Sequence, residues 1–234
     1  MIKFFRKIRY NLMEQNKTGK YFKYAIGEVI LVVIGILIAL QINNWNENRK
    51  YNKNNTLMLQ QLLEENKVNY LKLKDDKDYR DSLGTKLNRL VTFIKEKDIV
   101  KNENKLKFHL LPLFQSTSYT FSENYLKRYI NSNEQEHSIL TRELIQLLTN
   151  QNDLTYISEK SLESRFENFY DVLVKDLDFQ TFEIKSFELL KSFEFRNKII
   201  MLSIIEKEVE NQFNQTIKQQ RKIDSIITAF LSKN

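Results

Sequence analysis

Between Tyr24 and Ile42 the chain reads YAIGEVILVVIGILIALQI, and from Val29 to Leu40 no side chain is polar. Twenty helical residues rise about 30 Å, the hydrocarbon thickness of a bilayer. The strictly apolar stretch alone is short for a span; Tyr24, Ala25, Ile26, Gly27, Gln41 and Ile42 bring it to length. A buried core helix and a cleaved signal are the alternatives. The basic lead of 23 residues is long for a signal, and Ala39-Leu40-Gln41 is a poor cleavage site. The expectation is a retained anchor.

The charge distribution sets its orientation. Residues 1–23 hold seven basic side chains against Glu14 alone, a local charge of +6 within a total of +7. The basic balance is therefore local to the anchor, which argues against nucleic acid as a partner. Lys and Arg ahead of the helix outnumber Arg49, Lys50 and Lys53 behind it, so the N-terminus is expected in the cytoplasm. The expected organisation is a cytoplasmic basic amphipathic segment (1–23), a transmembrane helix (24–43) and an extracytoplasmic helical domain (44–234). In a bacterial cell this places the chain in the inner membrane with its large part in the periplasm. Ile2, Phe4, Phe5, Ile8 and Leu12 would let Met1–Leu12 lie as a helix on the cytoplasmic leaflet. Asn16–Gly19 reads as a turn before the spanning helix.

About 190 residues remain beyond the anchor, enough for one domain with a core. One Pro and four Gly among many Leu, Lys, Glu and Ile favour long helices. The predicted fold is all-α: one N-terminal transmembrane helix followed by an elongated helical bundle with coiled-coil character. Asn43–Asn55 is either a solvated continuation of the spanning helix or a stalk. Leu59, Leu62, Leu63, Tyr70 and Leu73, then Leu83, Leu87, Leu90, Val91 and Ile94, keep helical spacing, with a break expected at Gly84. Glu96–Lys105 reads as a connector, and Leu106–Ser118, with Pro112, as the least helical region. A helix is expected from Ser122–Asn124 through Ile130. A second, from Ile139, is expected to close at Asn150–Asp153. Leu162, Phe166, Phe169, Leu173 and Leu177 form a one-face stripe in a third. The last helix, about Glu194–Leu231, carries Val209, Phe213, Thr216, Gln220, Ile223, Ile227 and Phe230 at spacings of four and three. That seam packs within the domain or between subunits; the other helices' need for cover favours the former.

No motif points to catalysis. The absence of Cys excludes disulfides and thiolate chemistry. His109 and His137 lack a second ligand one turn away, and Glu134, Glu136 and His137 read as a charged loop. Ser116, Thr117, Ser118 and Thr120 lack an elbow sequence. Phe166, Phe169 and Phe195 read as core. Glu64, Glu65, Glu206, Glu208 and Glu210 lack Glu-x-x-His pairing and read as solvated helix faces. No enzyme activity and no cofactor are expected. The residues singled out for contact lie in the membrane helix. Gly35 and Ala39 make a small-xxx-small step with Gly27 on the same face, Glu28 is a carboxylate one turn inside, and Gln41 and Trp45 sit at the far boundary.

The block MIKFFRKIRYNLMEQNKTGKYFKYAIGEVILVVIGILIALQINNWNENRK resembles the opening of a large uncharacterised family of single-pass membrane proteins in marine, flavobacteria-like Bacteroidota. Phe4, Phe5, Arg6, Gly19, Lys20, Tyr21, Tyr24, Gly27, Glu28, Gly35, Gln41, Asn43, Asn44 and Trp45 carry the likeness. Leu189–Leu202, with Phe195-Arg196-Asn197-Lys198, is similar to a later family segment. Phe121–Asn133 departs from the family's glycine-containing central stretch. The resemblance implies location and architecture and brings no chemistry; it also implies that the spanning helix meets something specific. The expected partners are the lipid bilayer and a second copy or another membrane protein. The expected function is an interaction or scaffold module, the alternative a sensory or regulatory subunit acting with a membrane partner.

Overall fold

The computed structural model describes residues 18–95, 109–133, 138–181, 183–186 and 188–232, with Arg6, Tyr10 and Glu14. The surface helix expected at Met1–Leu12 (apart from Arg6 and Tyr10), the whole Glu96–Lys105 connector and Glu134–His137 lie outside these residues. The chain divides into two units, Met1–Leu57 and Met58–Asn234.

The protein is all-α. In the first unit, helix α1 begins at Thr18 and runs through the apolar stretch; it ends in the second unit at Lys95. Thr18 and Gly19 are already helical, where a turn was expected, because helix propagates cheaply outward from a long apolar nucleus. Asn43–Asn55 is helix rather than an irregular stalk. None of the most apolar part of α1 is buried by the other described residues. By length and composition this helix is long and apolar enough to cross a membrane.

The second unit is an up-down-up-down bundle. Its first element is α1 from Met58. Helix passes straight through Gly84, the expected break: one interior glycine costs only about 1 kcal/mol relative to alanine. The second element runs back along α1. It is a 3₁₀ turn at Leu111–Leu113 that accommodates Pro112, an extended stretch, and helix α2 (Asn124–Ser132). The third is α3 (Ile139–Arg165), capped by the Ser138 hydroxyl, which accepts from Thr141 N at 3.1 Å. The expected closure at Asn150–Asp153 does not occur. Asn150 and Gln151 are buried, and the Asn150 carbonyl accepts from the Thr216 hydroxyl at 3.2 Å, so these polar residues serve the interior. A π-helical turn (Phe166–Tyr170) and α4 (Asp171–Asp176) follow, then a reversal closed by a single antiparallel bridge between Leu177 and Ile184. A short α5 (Glu188–Lys191) leads to α6 (Phe193–Leu231), capped by Ser192. Contacts of α6 with α3 descend in step (Glu143 with Gln219, Asp153 with Gln212, Ser161 with Glu206), so the two are antiparallel.

The interior alternates in layers along α6. One apolar end gathers Leu59, Leu62, Leu144, Leu147, Ile223 and Ile227. The middle holds Leu73, Leu154, Val209 and Phe213. The other end holds Leu87, Leu90, Phe169, Leu173, Ile199 and Leu202. Two buried polar layers separate them: Asn66, Asn69, Asn150, Gln151, Thr216 and Gln220 in one, Arg80, Ser158, Ser161, Arg165 and Glu206 in the other. The seam expected on α6 is buried within the bundle from Val209 to Ile227, while Phe230 stays exposed. Phe169 and Phe195 are core as expected, but Phe166 is half-exposed and stacks on Tyr170 at 4.5 Å, because the π turn re-aims the stripe.

Candidate functional site

Two places bring chemistry-bearing residues together, one in each unit. In the first, Gly27, Glu28, Gly35, Ala39, Gln41 and Trp45 fall within about 160° of the circumference of α1 at 3.6 residues per turn. The remaining arc carries Ile26, Val29, Val33, Ile36 and Leu40. A Cβ built on Gly27 or Gly35 would meet no atom of the described residues within 4 Å beyond its chain neighbours and the local helix backbone. Neither glycine is therefore required by packing inside the protein. Trp45 is exposed, with the Arg49 guanidinium 5.8 Å from its ring centroid.

The second place is the charged layer of the bundle. Arg80 enters from α1, Arg165 from the end of α3 and Glu206 from α6, and all three are at most 3% exposed. Arg80 donates from one terminal nitrogen to the Glu206 carboxylate and backbone carbonyl, and from the other to the Thr117 hydroxyl at 3.0 Å. The Arg165 terminal nitrogen lies 2.7 Å from the second Glu206 oxygen, which also accepts from the Ser161 hydroxyl. Arg165 Nε reaches the Pro112 carbonyl at 3.4 Å. One carboxylate thus ties all four elements together. Burial alone would push the Glu206 carboxyl up, but Arg165 and Arg80 outweigh it and hold the group below the ordinary carboxylate range. Burial pulls Arg165 down against the attraction of Glu206, from a starting point so high that the guanidinium stays charged. Two cations against one anion leave the layer with an excess positive charge. Among the described residues, Arg80 Nε and the other Arg165 terminal nitrogen have no hydrogen-bond partner.

Sequence reasoning placed Glu206 and Glu65 on solvated faces; both are buried, and both are structural acceptors. Glu65 caps α2 across the bundle, accepting from Leu126 N at 2.9 Å, Tyr125 N at 3.1 Å and the Ser122 hydroxyl at 3.0 Å. Asn69 clamps the same point, donating to the Ser122 carbonyl at 2.7 Å and accepting from its N–H at 3.0 Å. The start expected at Ser122–Asn124 is correct, but its cap comes from α1, 57 or more residues earlier in the chain. Glu65→Ala is expected to cost about 2 kcal/mol of bundle stability, since it strands two backbone donors and a hydroxyl. Denaturant unfolding followed by circular dichroism measures it.

Other candidates have ordinary roles. Thr117 holds Arg80, and His109 packs on Phe93 with ring centroids 5.1 Å apart. Among the described residues, no group of three or more His, Asp or Glu is arranged to hold a metal ion. The signal for Glu206 was present: Leu202, Glu206, Val209 and Phe213 continue the four-and-three spacing backward from Val209. An acidic residue in phase with a buried seam is a better warning than its type.

Residues 28–133 match the model of a family of unknown function, DUF6090. The match begins inside the membrane helix and continues through Phe121–Asn133, where the resemblance to the membrane-protein family departs. It covers Glu28, Glu65, Arg80 and Thr117 and stops before Arg165 and Glu206. No curated protein and no solved structure matches the chain.

Proposed function

We propose that this chain is a membrane-tethered, non-enzymatic interaction module. It sits in a bacterial inner membrane with its N-terminus in the cytoplasm and its helical bundle in the periplasm, and it recruits or holds another protein through the spanning helix. The observation that carries the reading is the face of α1 bearing Gly27, Glu28, Gly35 and Ala39. Helix-interior glycines cost stability, no described residue packs against them, and close helix approach in lipid is the use to which small residues are suited. The basic leader supports the orientation.

The test is crosslinking in the native membrane with the paired substitutions Glu28→Leu and Gly35→Leu. Loss of most of the crosslinked partner, about tenfold, is expected, with Ile36→Ala on the opposite arc leaving it unchanged. Unaltered partners in the paired variant refute the reading. Protease added to spheroplasts should digest the bundle, and protection of the bundle refutes the orientation.

A further inference from the structure

The charged layer of the bundle carries more positive charge than it cancels. Arg80 and Arg165, 2% and 1% exposed, share the single carboxylate of Glu206, itself 3% exposed. Both arginines also touch one strap of backbone, residues 112–117. Arg80 donates to the Thr117 hydroxyl at 3.0 Å and Arg165 to the Pro112 carbonyl at 3.4 Å. We infer that this layer binds one small monovalent anion of the halide class, held between the two guanidiniums and the strap.

Charge balance, unfilled donors and enclosure each lead there. Guanidiniums stay ionised at any physiological pH, so one carboxylate between two of them leaves a net positive charge in the interior. Taking an uncompensated charge out of water is costly enough that buried charges are normally paired. The acidic residues one turn away do not supply the second anion. Asp76, one turn before Arg80 on α1, and Glu210, one turn after Glu206 on α6, are exposed. Among the described residues neither makes an ion pair with either arginine. The loose ends of both guanidiniums are donors. Arg80 gives its terminal nitrogens to Glu206 and Thr117 and keeps Nε. Arg165 gives one terminal nitrogen to Glu206 and keeps the other, beside an Nε whose bond to Pro112 is long. Those two Arg165 nitrogens form one edge of the planar fork, the edge that takes an anion side-on. Tyr119 is buried beside half-buried Thr117, and burial holds its hydroxyl protonated. The two hydroxyls use at most one of their hydrogens on each other, which leaves an O–H for a ligand. Water, or the neutral Gln115 amide, would fill a donor and leave the charge as it stands. An anion answers both. Enclosure sets its size: a monatomic ion accepts from any direction and fits among packed side chains where a carboxylate or phosphate needs a cavity. The inference neither uses nor tests the reading of the membrane helix.

Thermal unfolding of the full-length protein in uncharged detergent micelles tests it, with sodium chloride replacing sodium gluconate at neutral pH and fixed ionic strength. Tm should rise along a saturating curve, by about 5 °C once chloride reaches a hundred times its Kd. Bromide should act as chloride does. Arg165→Met leaves one cation on one anion and should weaken the chloride effect at least tenfold. The triple change Arg80→Met, Arg165→Met and Glu206→Leu leaves no charge in the layer and should abolish the effect while keeping the helical circular dichroism. Lys218→Met, an exposed change on α6, should leave the effect as in wild type. An equal Tm in gluconate and chloride overturns the inference. So does a chloride effect that persists undiminished in the triple variant, because the ion then acts elsewhere on the protein. If neither arginine variant folds, bromide's anomalous scattering in wild-type crystals decides: a peak within hydrogen-bond reach of Arg165 is expected, and its absence overturns the site.

Discussion

Glu206→Leu is expected to destabilise the bundle by about 3–5 kcal/mol, because it leaves two guanidiniums buried without a counter-charge. Against a total of about 5–15 kcal/mol for an ordinary domain, that brings the protein close to unfolding at room temperature. Replacing the whole layer behaves differently. Arg80→Met with Arg165→Met and Glu206→Leu removes the desolvation cost along with the attraction, and should recover most of the loss. The measurement is denaturant unfolding of the three single variants and the triple, with the coupling taken from the cycle. A Glu206→Leu loss below 1 kcal/mol would mean that the layer is not a working ion network. The pH dependence follows from the same carboxylate. Its folded pKa is depressed, so its contribution is complete above the ordinary carboxyl value and is lost as pH falls through the folded value. Wild type should therefore lose stability in acid more steeply than the triple variant.

Two aspartates in the middle of the apolar run should release the protein from the membrane. Val33→Asp and Leu37→Asp each add about 3 kcal/mol to the cost of insertion, about 6 kcal/mol together. No described residue outside the helix covers this stretch, so no observed packing offsets that cost. The expected result is a shift of the full-length chain from the membrane pellet to the supernatant or to degradation. The bundle's residues are untouched by the change. An equal yield in carbonate-washed membranes would show that the helix is held by something other than lipid.

The parts of this fold that were legible in the sequence share one property: a single physical rule governs them. The apolar run of α1 needs lipid. The seams Leu83–Ile94 and Val209–Ile227 need cover from other helices, and both are buried apart from Val91, which is partly so. Pro112 cannot sit inside a helix, and it sits in a 3₁₀ turn. The misreadings arose where burial and residue type disagree. Asn150 looks like a helix terminator but belongs to a buried polar layer, and its helix runs on to Arg165. Glu65 and Glu206 look solvated, and each is buried because donors from distant segments converge on it. Those donors, Arg80 and Arg165 above all, are 126 and 41 residues away from Glu206, and no local window contains the encounter. Phe166 was misjudged for a different reason: π winding widens the turn and changes which residues of the stripe face inward.

The alternation of dry and polar layers has a mechanical consequence. If α6 slid by one turn, about 5.4 Å, Glu206 would leave both arginines and enter an aliphatic compartment, while a leucine or valine would land among guanidiniums. Small slips are thus heavily penalised and the helices cannot creep past one another by degrees. A pull on one end of the bundle either moves it as a block or snaps the charged layer open, so tension acting on this domain would meet a threshold rather than a gradual yield.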